Sequence, residues 1–237
     1  MELGEIPDMG WASEQPAFVS AGRIPDCAAL HPGYTYLIRG IKTSCSPDEA
    51  KRNPGRVSMV RYRRNFVPGG TFFFTVALAD RRSSVLVEHV QLLRSAFRDV
   101  RERTPFSVDA VVVLPDHLHT ILTLPSEDSD FSGRWKAVKS KFTRGVVASG
   151  VAVPRNERGE YLLWQRRFWE HTIRDEQDFE RCANYVHFNP VKHRLVSSPV
   201  EWPFSSLHRY IRTGVLPGDW GGGDDLPDTH RFGERAE

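Results

Sequence analysis

Two histidines lie within the stretch VVVLPDHLHTILTLP, residues 111–125, which otherwise has the apolar character of buried β-strands. Successive side chains of a strand point to opposite faces, so His117 and His119 would share one face while Leu118 points to the other. Two imidazoles on one face could bind a metal ion. A histidine on a strand is more often a packed or surface residue than a ligand, so this pair alone leaves both interpretations open.

A second candidate group lies in the stretch CANYVHFNPVKHRLV, residues 182–196. Tyr185 and Asn189 are four residues apart and would share one face of a helix, whereas His187 would point elsewhere. A tyrosine at such a position usually packs in the core. Beside a metal site and a basic surface, however, a phenol could attack a DNA phosphate and hold the cut strand as a phosphotyrosine ester.

Such a reaction would need a divalent cation, because a phenol with a pKa of about 10 is a poor nucleophile without assistance. A bound cation polarises the phosphate and neutralises the charge that develops on it. Two imidazoles and one amide oxygen leave coordination positions for a phosphate oxygen and water. This ligand set suits Mg²⁺ or Mn²⁺, and the imidazoles favour Mn²⁺.

The charge distribution favours an anionic partner. The formal net charge is only +2, but residues 59–216 carry 24 lysine and arginine residues against 17 aspartate and glutamate residues. Basic residues concentrated in this way are typical of a nucleic-acid-binding surface. The three cysteines form no C-x-x-C pair, so we expect neither a disulfide framework nor a zinc cluster. No apolar run reaches the roughly 18 residues of a membrane span, and no signal-peptide pattern is present, so we expect a cytoplasmic protein with no membrane partner.

The chain divides into three parts. Residues 1–58 show no sustained hydrophobic period and are predicted to be a poorly ordered extension, with Met59 as an alternative start of the protein. Residues 59–216 are predicted to form the domain. Residues 217–237 are rich in Gly and Asp and are predicted to be a flexible acidic tail.

The order of the elements predicts the fold. Strands are predicted at 71–79, 106–115, 117–125 and 166–173; helices are predicted after Ser83 or Ser84, at about 133–148, and at about 175–189. Pro190 is predicted to stop the last helix, because proline disfavours the α conformation in the preceding residue. The order β-α-β-β-α-β-α indicates an α+β, ferredoxin-like sandwich, in which an antiparallel sheet of four to five strands has helices on one face.

Several motifs together resemble one known family. LPDHLHTIL resembles the His-hydrophobic-His motif of the HUH single-tyrosine transposases. YRRNFVPGGTFFFTV, LWQRRFWEHTIRDEQDF, YVHFNPVKHRLV and EWPFSSLHRYIRTGV, in this order, resemble the REP-associated tyrosine transposases (RAYT), relatives of the insertion-sequence enzymes. The resemblance extends from Met59 to Trp220 and does not cover residues 1–58.

The resemblance implies specific roles and a specific reaction. His117 and His119 would be metal ligands, Tyr185 the nucleophile, and Asn189 the residue that completes the metal site. The family cleaves single-stranded DNA near palindromic repeat hairpins, leaving a 5′-phosphotyrosine and a free 3′-OH, and transfers strands by reversal. The expected location is the bacterial cytoplasm, in association with the nucleoid, and the protein could act as a monomer or a homodimer.

Basic residues outside the metal site are the predicted DNA contacts. They form an arm before the first strand, a row on the second helix, a pair beside Trp164 and Trp169, and a lysine after Asn189. Aromatic rings beside positive charges can stack on unpaired bases, although these tryptophans could equally be core residues and the charges a solvated face. His171 is expected to be structural, and His187 and His193 to lie on the surface. The predicted contacts are Arg61, Arg63, Arg64, Lys136, Lys139, Arg144, Arg166, Arg167 and Lys192.

Three functions are compatible with these residues. The favoured one is a metal-dependent, single-tyrosine DNA nicking and strand-transfer enzyme, because all four chemical positions carry the required residue types. The second is a protein that binds repeat hairpins without cleaving them. The third, a phosphodiesterase that uses water as the nucleophile, leaves Tyr185 without a role.

Overall fold

The computed structural model describes residues 65–222. The predicted N-terminal extension, the alternative start at Met59, and the basic arm of Arg61, Arg63 and Arg64 lie outside the described residues, as does most of the predicted tail.

The described part of the chain alternates strands and helices in the predicted order. The elements are β1 (Thr71–Ala77), α1 (Val85–Glu88), α2 (Val90–Arg103), β2 (Ser107–Val113), β3 (His117–Thr123), α3 (Phe131–Ala148), β4 (Trp169–Thr172), α4 (Glu176–Lys192), a 3₁₀ turn (Pro199–Glu201) and α5 (Leu207–Arg212). Within residues 65–222, no helix is both long and apolar enough to cross a membrane.

The four strands form one sheet in the order β2-β3-β1-β4, and every neighbouring pair is antiparallel. This topology confirms the predicted α+β, ferredoxin-like sandwich. The β1–β3 register places Ala77 opposite His117 and Thr75 opposite His119. Because directly opposed residues point to the same side of a sheet, these four side chains share one face.

Helices cover both faces of the sheet. One face carries Phe72 and Phe74, which pack against α2 and α3. Phe73 points the other way and packs with Tyr185 and Val186 of α4. The two crossover helices therefore lie on one face, as predicted, and α4 adds a layer on the opposite face. Three consecutive phenylalanines in β1 fit this arrangement, because a strand that is buried on both faces has no polar alternation.

Two of the predicted helices differ from the structure near their N-terminal ends: one is divided in two, and the other begins earlier. The helix predicted after Ser84 is divided at His89 into the four-residue α1 and the longer α2. Helix α3 begins at Phe131 rather than at residue 133, because the Asp130 side chain accepts a hydrogen bond from the Gly133 N–H at 2.7 Å and so caps the helix.

The predicted stop at Pro190 is wrong, since α4 continues through this residue to Lys192. A proline inside a helix removes one backbone hydrogen bond, here the one to the carbonyl of Val186. Pro190 is buried, and the helix is closed by the N–H of His193, which donates to the carbonyl of Asn189 at 3.0 Å. The added residues extend the Tyr185–Asn189 face of α4 by most of a turn.

The ordered domain also extends past the predicted boundary at residue 216. Trp220 is buried and packs with Phe188 of α4 and Tyr210 of α5. The segment before α5 pairs with the outer edge of β2, where the N–H of Val113 donates to Phe204 and the N–H of Ser206 donates to Val111, each at 2.8 Å. This segment gives α4 a second surface to pack on.

Candidate active site

The residues predicted to do chemistry meet between the sheet and α4. The ring centroids of His117 and His119 are 4.9 Å apart, and those of His119 and Tyr185 are 5.1 Å apart. The exposed fractions of the three residues are 2%, 0% and 0%, respectively. Helix α4 thus brings Tyr185 against His119, which lies far from it in sequence and contacts His117.

An acidic neighbour orients the first histidine. Nδ1 of His117 lies 2.8 Å from Oδ1 of Asp116, whose Oδ2 accepts from Nε of Arg81 at 2.8 Å. Burial lowers the pKa of His117, although Asp116 opposes the shift, so the ring is neutral at neutral pH. A neutral ring that donates Nδ1–H to Asp116 keeps its lone pair on Nε2, and this buried atom has no hydrogen-bond partner within residues 65–222.

The charge on Asp116 is maintained by its neighbours. Burial would raise its pKa, but the hydrogen bond to His117 and the charge of Arg81 outweigh that effect and hold the pKa below its usual value. The carboxylate is therefore ionised at neutral pH. A carboxylate behind a metal-binding imidazole fixes the tautomer and raises the basicity of the ligand.

A threonine orients the second histidine. Nδ1 of His119 lies 2.9 Å from Oγ1 of Thr75, its cross-strand neighbour, and the ring stacks on Phe73 with centroids 5.6 Å apart. When Nδ1 carries the hydrogen and donates it to Thr75, the lone pair lies on Nε2. Both imidazoles are thus arranged to present Nε2.

Asn189, the predicted third ligand, lies on α4 one helical turn after Tyr185. Its side chain is fully buried, and neither atom of its amide has a hydrogen-bond partner in the described part of the chain. An unsatisfied buried amide costs about 1–3 kcal/mol, so these atoms indicate a ligand. Two imidazole nitrogens and one amide oxygen fit a divalent cation such as Mn²⁺ or Mg²⁺.

Lys192, one of the predicted DNA contacts, lies at the tyrosine. Nζ of Lys192 donates to Oη of Tyr185 at 3.1 Å and lies 4.4 Å from the centroid of its ring. Tyr185 and Lys192 are seven residues apart, which corresponds to two helical turns, so they share a face only because α4 continues past Pro190.

Sequence reasoning missed or misplaced two nearby histidines. His193 was expected on the surface, yet its ring centroid lies 5.0 Å from that of His117. His187 was also expected there, but it is buried, and its Nε2 lies 3.0 Å from Oγ of Ser206. Burial lowers the pKa of His187 to about 3, so this ring stays neutral. His193 comes close to His117 because α4 continues through Pro190, and a helix predicted to continue past this proline would have located His193.

The predicted DNA contacts on α3 lie away from the site. Lys136 and Arg144 are exposed, and their helix packs on the opposite face of the sheet from Tyr185. Lys139, on the same helix, contacts the segment that precedes β4, where its Nζ donates to the carbonyl of Gln165 at 3.0 Å.

Arg166 and Arg167 lie just before β4, the edge strand that pairs with β1. Both are exposed, and in sequence they lie between Gln165, whose N–H donates to Ala77 at 2.9 Å, and Trp169, which pairs with Thr75.

The tryptophans predicted to stack on bases have protein contacts. Nε1 of Trp164 donates to Thr143 at 3.1 Å, and Trp169 stacks on His171 with centroids 6.0 Å apart.

A second group of ligand-type side chains joins β4 to α4. Potential ligand atoms of His171, Asp178 and Cys182 lie within 4.8 Å of one another. Asp178 already contacts His171 at 2.9 Å and Arg174 at 3.3 Å, and burial raises the pKa of the Cys182 thiol to about 12. A protonated thiol is a poor metal ligand, so this group fits the structural role expected for His171.

Comparisons with known proteins agree with this fold. No family model matches the sequence. The REP-associated tyrosine transposase of Escherichia coli K12 is 44% identical over 164 residues, which cover 69% of this chain and 92% of that protein. A relative of the same family name in Haemophilus influenzae is 41% identical over 170 residues, which cover 71% of this chain and 97% of that protein.

A solved structure supports the same assignment. The structure of a REP-associated tyrosine transposase bound to a REP hairpin aligns with a TM-score of 0.65 at 42% identity, covering 76% of this chain and 99% of that chain. With this fold, this site and these relatives, the protein is an enzyme of the transposase class that acts on DNA. It belongs to the REP-associated tyrosine transposase family.

Proposed function

We propose that this protein is a metal-dependent single-strand DNA endonuclease and strand transferase that cuts near palindromic repeat hairpins through a 5′-phosphotyrosine intermediate. The observation that carries this proposal is the contact between Tyr185 and His119, with ring centroids 5.1 Å apart. It joins a nucleophile to a pair of imidazoles oriented as metal ligands, and a site with these two parts can cleave DNA without a nucleotide cofactor.

His117, His119 and Asn189 would hold the divalent cation, Mg²⁺ or Mn²⁺. When bound, the cation would polarise the scissile phosphate and neutralise the charge that develops on it. Asp116 and Thr75 keep the two imidazoles in the tautomer that this role requires.

Tyr185 would carry the covalent step. Its Oη forms a bond to the phosphorus, and the bond between that phosphorus and the 3′ oxygen breaks. The phenol loses its proton, and the departing 3′ oxygen takes one up as a free 3′-OH. The phosphotyrosine ester conserves the bond energy, so attack by another 3′-OH transfers the strand and regenerates the phenol.

The DNA partner would be a hairpin with single-stranded flanks. The solved relative is bound to a REP hairpin, and this chain matches it over 99% of that protein's length. Arg166 and Arg167, which are exposed just before the edge strand β4, would neutralise phosphates of a strand that enters from the hairpin.

The proposal is tested by trapping the covalent intermediate. A labelled hairpin with genomic flanking sequence is incubated with the protein and Mn²⁺ or a chelator, and denaturing gels are examined for a shifted band. We expect a metal-dependent adduct that Tyr185→Phe abolishes with little loss of hairpin affinity. Tyr161→Phe is the matched control, because Tyr161 lies in the loop between α3 and β4, where its hydroxyl contacts Arg155.

Two outcomes would contradict the mechanism. An adduct that persists in Tyr185→Phe would transfer the nucleophile to another residue. Tight hairpin binding without any adduct, after the flanking sequence has been varied, would favour the protein that binds hairpins without cleaving them.

A further inference from the structure

We propose that Lys192 is a catalytic residue whose ammonium group stabilises the negative charge on the Tyr185 oxygen while the phosphotyrosine bond forms and breaks. This inference rests on the proposed phosphotyrosine mechanism. It differs from the predicted role of Lys192 as a DNA contact.

The contact geometry is the first argument. Nζ of Lys192 lies 3.1 Å from Oη of Tyr185, which is hydrogen-bond distance to the reacting atom itself. The same nitrogen lies 4.4 Å from the ring centroid, so the ammonium group also packs on the face of the phenol. A lysine that only bound DNA would have no reason to face this atom.

The backbone supplies the second argument. Lys192 reaches Tyr185 because α4 continues through Pro190, at the expense of one backbone hydrogen bond. Had the helix ended before Pro190, the backbone of Lys192 would not be fixed by the helix that carries Tyr185. The continued helix therefore places the nucleophile and the cation on one rigid element.

The surroundings strengthen the electrostatic effect. Tyr185 is fully buried in the structure, and a charge interaction is worth more in a buried site than in water. Asp116, the carboxylate beside the histidines, is already bound to Arg81 and His117. Its negative charge is thus directed toward those two groups.

The role of Lys192 in the reaction is to supply charge and a hydrogen bond. In the forward step the phenol loses one proton, Oη bonds to phosphorus, and the 3′ oxygen leaves and takes up one proton. In the reverse step the 3′-OH loses its proton as it attacks, and Oη departs with negative charge before it is reprotonated. Lys192 keeps its own protons throughout.

This role makes a distinctive kinetic prediction. Before the reaction the Tyr185 oxygen belongs to a neutral phenol, and afterwards it is an ester oxygen, so it bears substantial negative charge only in the transition state. Removal of Lys192 should slow cleavage and rejoining by the same factor and leave the equilibrium fraction of adduct unchanged. A lysine that only bound DNA would instead change the hairpin affinity.

The experiment compares Lys192→Met and Lys192→Arg with the wild-type protein. Single-turnover rates of adduct formation and of rejoining are measured with Mn²⁺ at saturating hairpin DNA, and hairpin affinity is measured separately. We expect both rates to fall by about 100-fold in Lys192→Met, the size of effect seen when one donor to a transition-state oxyanion is removed. Lys192→Arg should recover part of both rates, because it keeps the charge.

Lys141→Met is the matched control. It removes a lysine that is paired with Asp99 at 2.8 Å, on α3 across the sheet from the site, and both rates should be unchanged. Circular dichroism and thermal unfolding of each variant show whether it is folded.

The proposal is overturned if Lys192→Met forms adduct at the wild-type rate, if saturating DNA restores its rate, or if Lys192→Arg is as slow as Lys192→Met. These outcomes leave the phosphotyrosine mechanism in place. Absence of adduct in the wild-type protein would instead overturn the proposed function, and the role of Lys192 with it.

Discussion

Replacement of Asp116 by asparagine should weaken Mn²⁺ binding while leaving the protein folded. One carboxylate oxygen of Asp116 accepts from Nδ1 of His117 and the other from Nε of Arg81, each at 2.8 Å. Asparagine has nearly the same shape but lacks the negative charge. It also has only one acceptor oxygen for two donors, so its NH₂ group must face either His117 or Arg81.

The size of the effect follows from this loss. Removal of the hydrogen-bond partner behind a metal-bound histidine typically lowers metal affinity by 10- to 100-fold. Asp116→Asn loses the charge and also sets a donor against a donor, so we expect the upper end, about 100-fold, or ~2.7 kcal/mol. The fold should tolerate the change, because the side chain lies at the turn between β2 and β3, outside the main hydrophobic clusters.

Isothermal titration calorimetry with Mn²⁺ measures this effect directly. Asp80→Asn is the matched control, since Asp80 lies on the neighbouring turn after β1 but pairs with the exposed Arg82. Its Mn²⁺ affinity should equal that of the wild type. If Asp116→Asn binds Mn²⁺ as tightly as the wild type, Asp116 does not tune His117, and the assignment of Nε2 as a ligand atom loses its main support.

Three further measurements test other parts of the structure. The hydrogen bonds from His171 and Arg174 outweigh burial and lower the pKa of Asp178, so its stabilisation is present above the unfolded pKa of about 4 and is lost as the pH falls below it. Asp178→Asn should therefore cost about 2 kcal/mol in urea unfolding at pH 7 and progressively less as the pH falls below about 4; a cost that does not change with pH would contradict this. Cys182, with a pKa of about 12, should resist iodoacetamide at pH 8 in the folded protein when labelled cysteines are mapped by mass spectrometry, and rapid labelling would show that it is accessible. Removal of the charges of Arg166 and Arg167 together should reduce the slope of log affinity against log salt by about 1.4 to 1.8, and an unchanged slope would exclude them as phosphate contacts.

The fold followed from local patterns. The apolar runs around β2 and β3, the helical spacing of α2 and α3, and the order of the elements predicted the ferredoxin-like sandwich. Chain order also restricts which strands can pair. The layer formed by α4 was harder to predict, because β1 with its phenylalanines is buried on both faces and its sequence does not show which helix covers which side.

The candidate site was predicted in its residue types and in part of its geometry. Alternation along β3 placed His117 and His119 on one face, and helical spacing placed Tyr185 and Asn189 on another. The environment of these residues was not predictable, because it comes from contacts between distant positions. Thr75 meets His119 only through strand pairing.

Pro190 shows why local rules were insufficient. The conformational preference of the residue before a proline argues for a helix end, and that preference is a local term of limited size. Burial of Pro190 and packing of α4 on the sheet offset it, so the helix continues. Positions after Pro190 were therefore misplaced, and Lys192 and His193 with them.

The order of the elements, the family and the available chemical groups could be predicted from the residues alone, because periodicity, residue type and motif order can be seen in the linear chain. The contacts between these groups depend on the folded arrangement. Arg81 reaches Asp116, Thr75 reaches His119, and His119 meets Tyr185 through packing of strands and helices that are distant in the chain. The free energy of these contacts depends on burial and distance in the folded state, and neither quantity is encoded in any short stretch of residues.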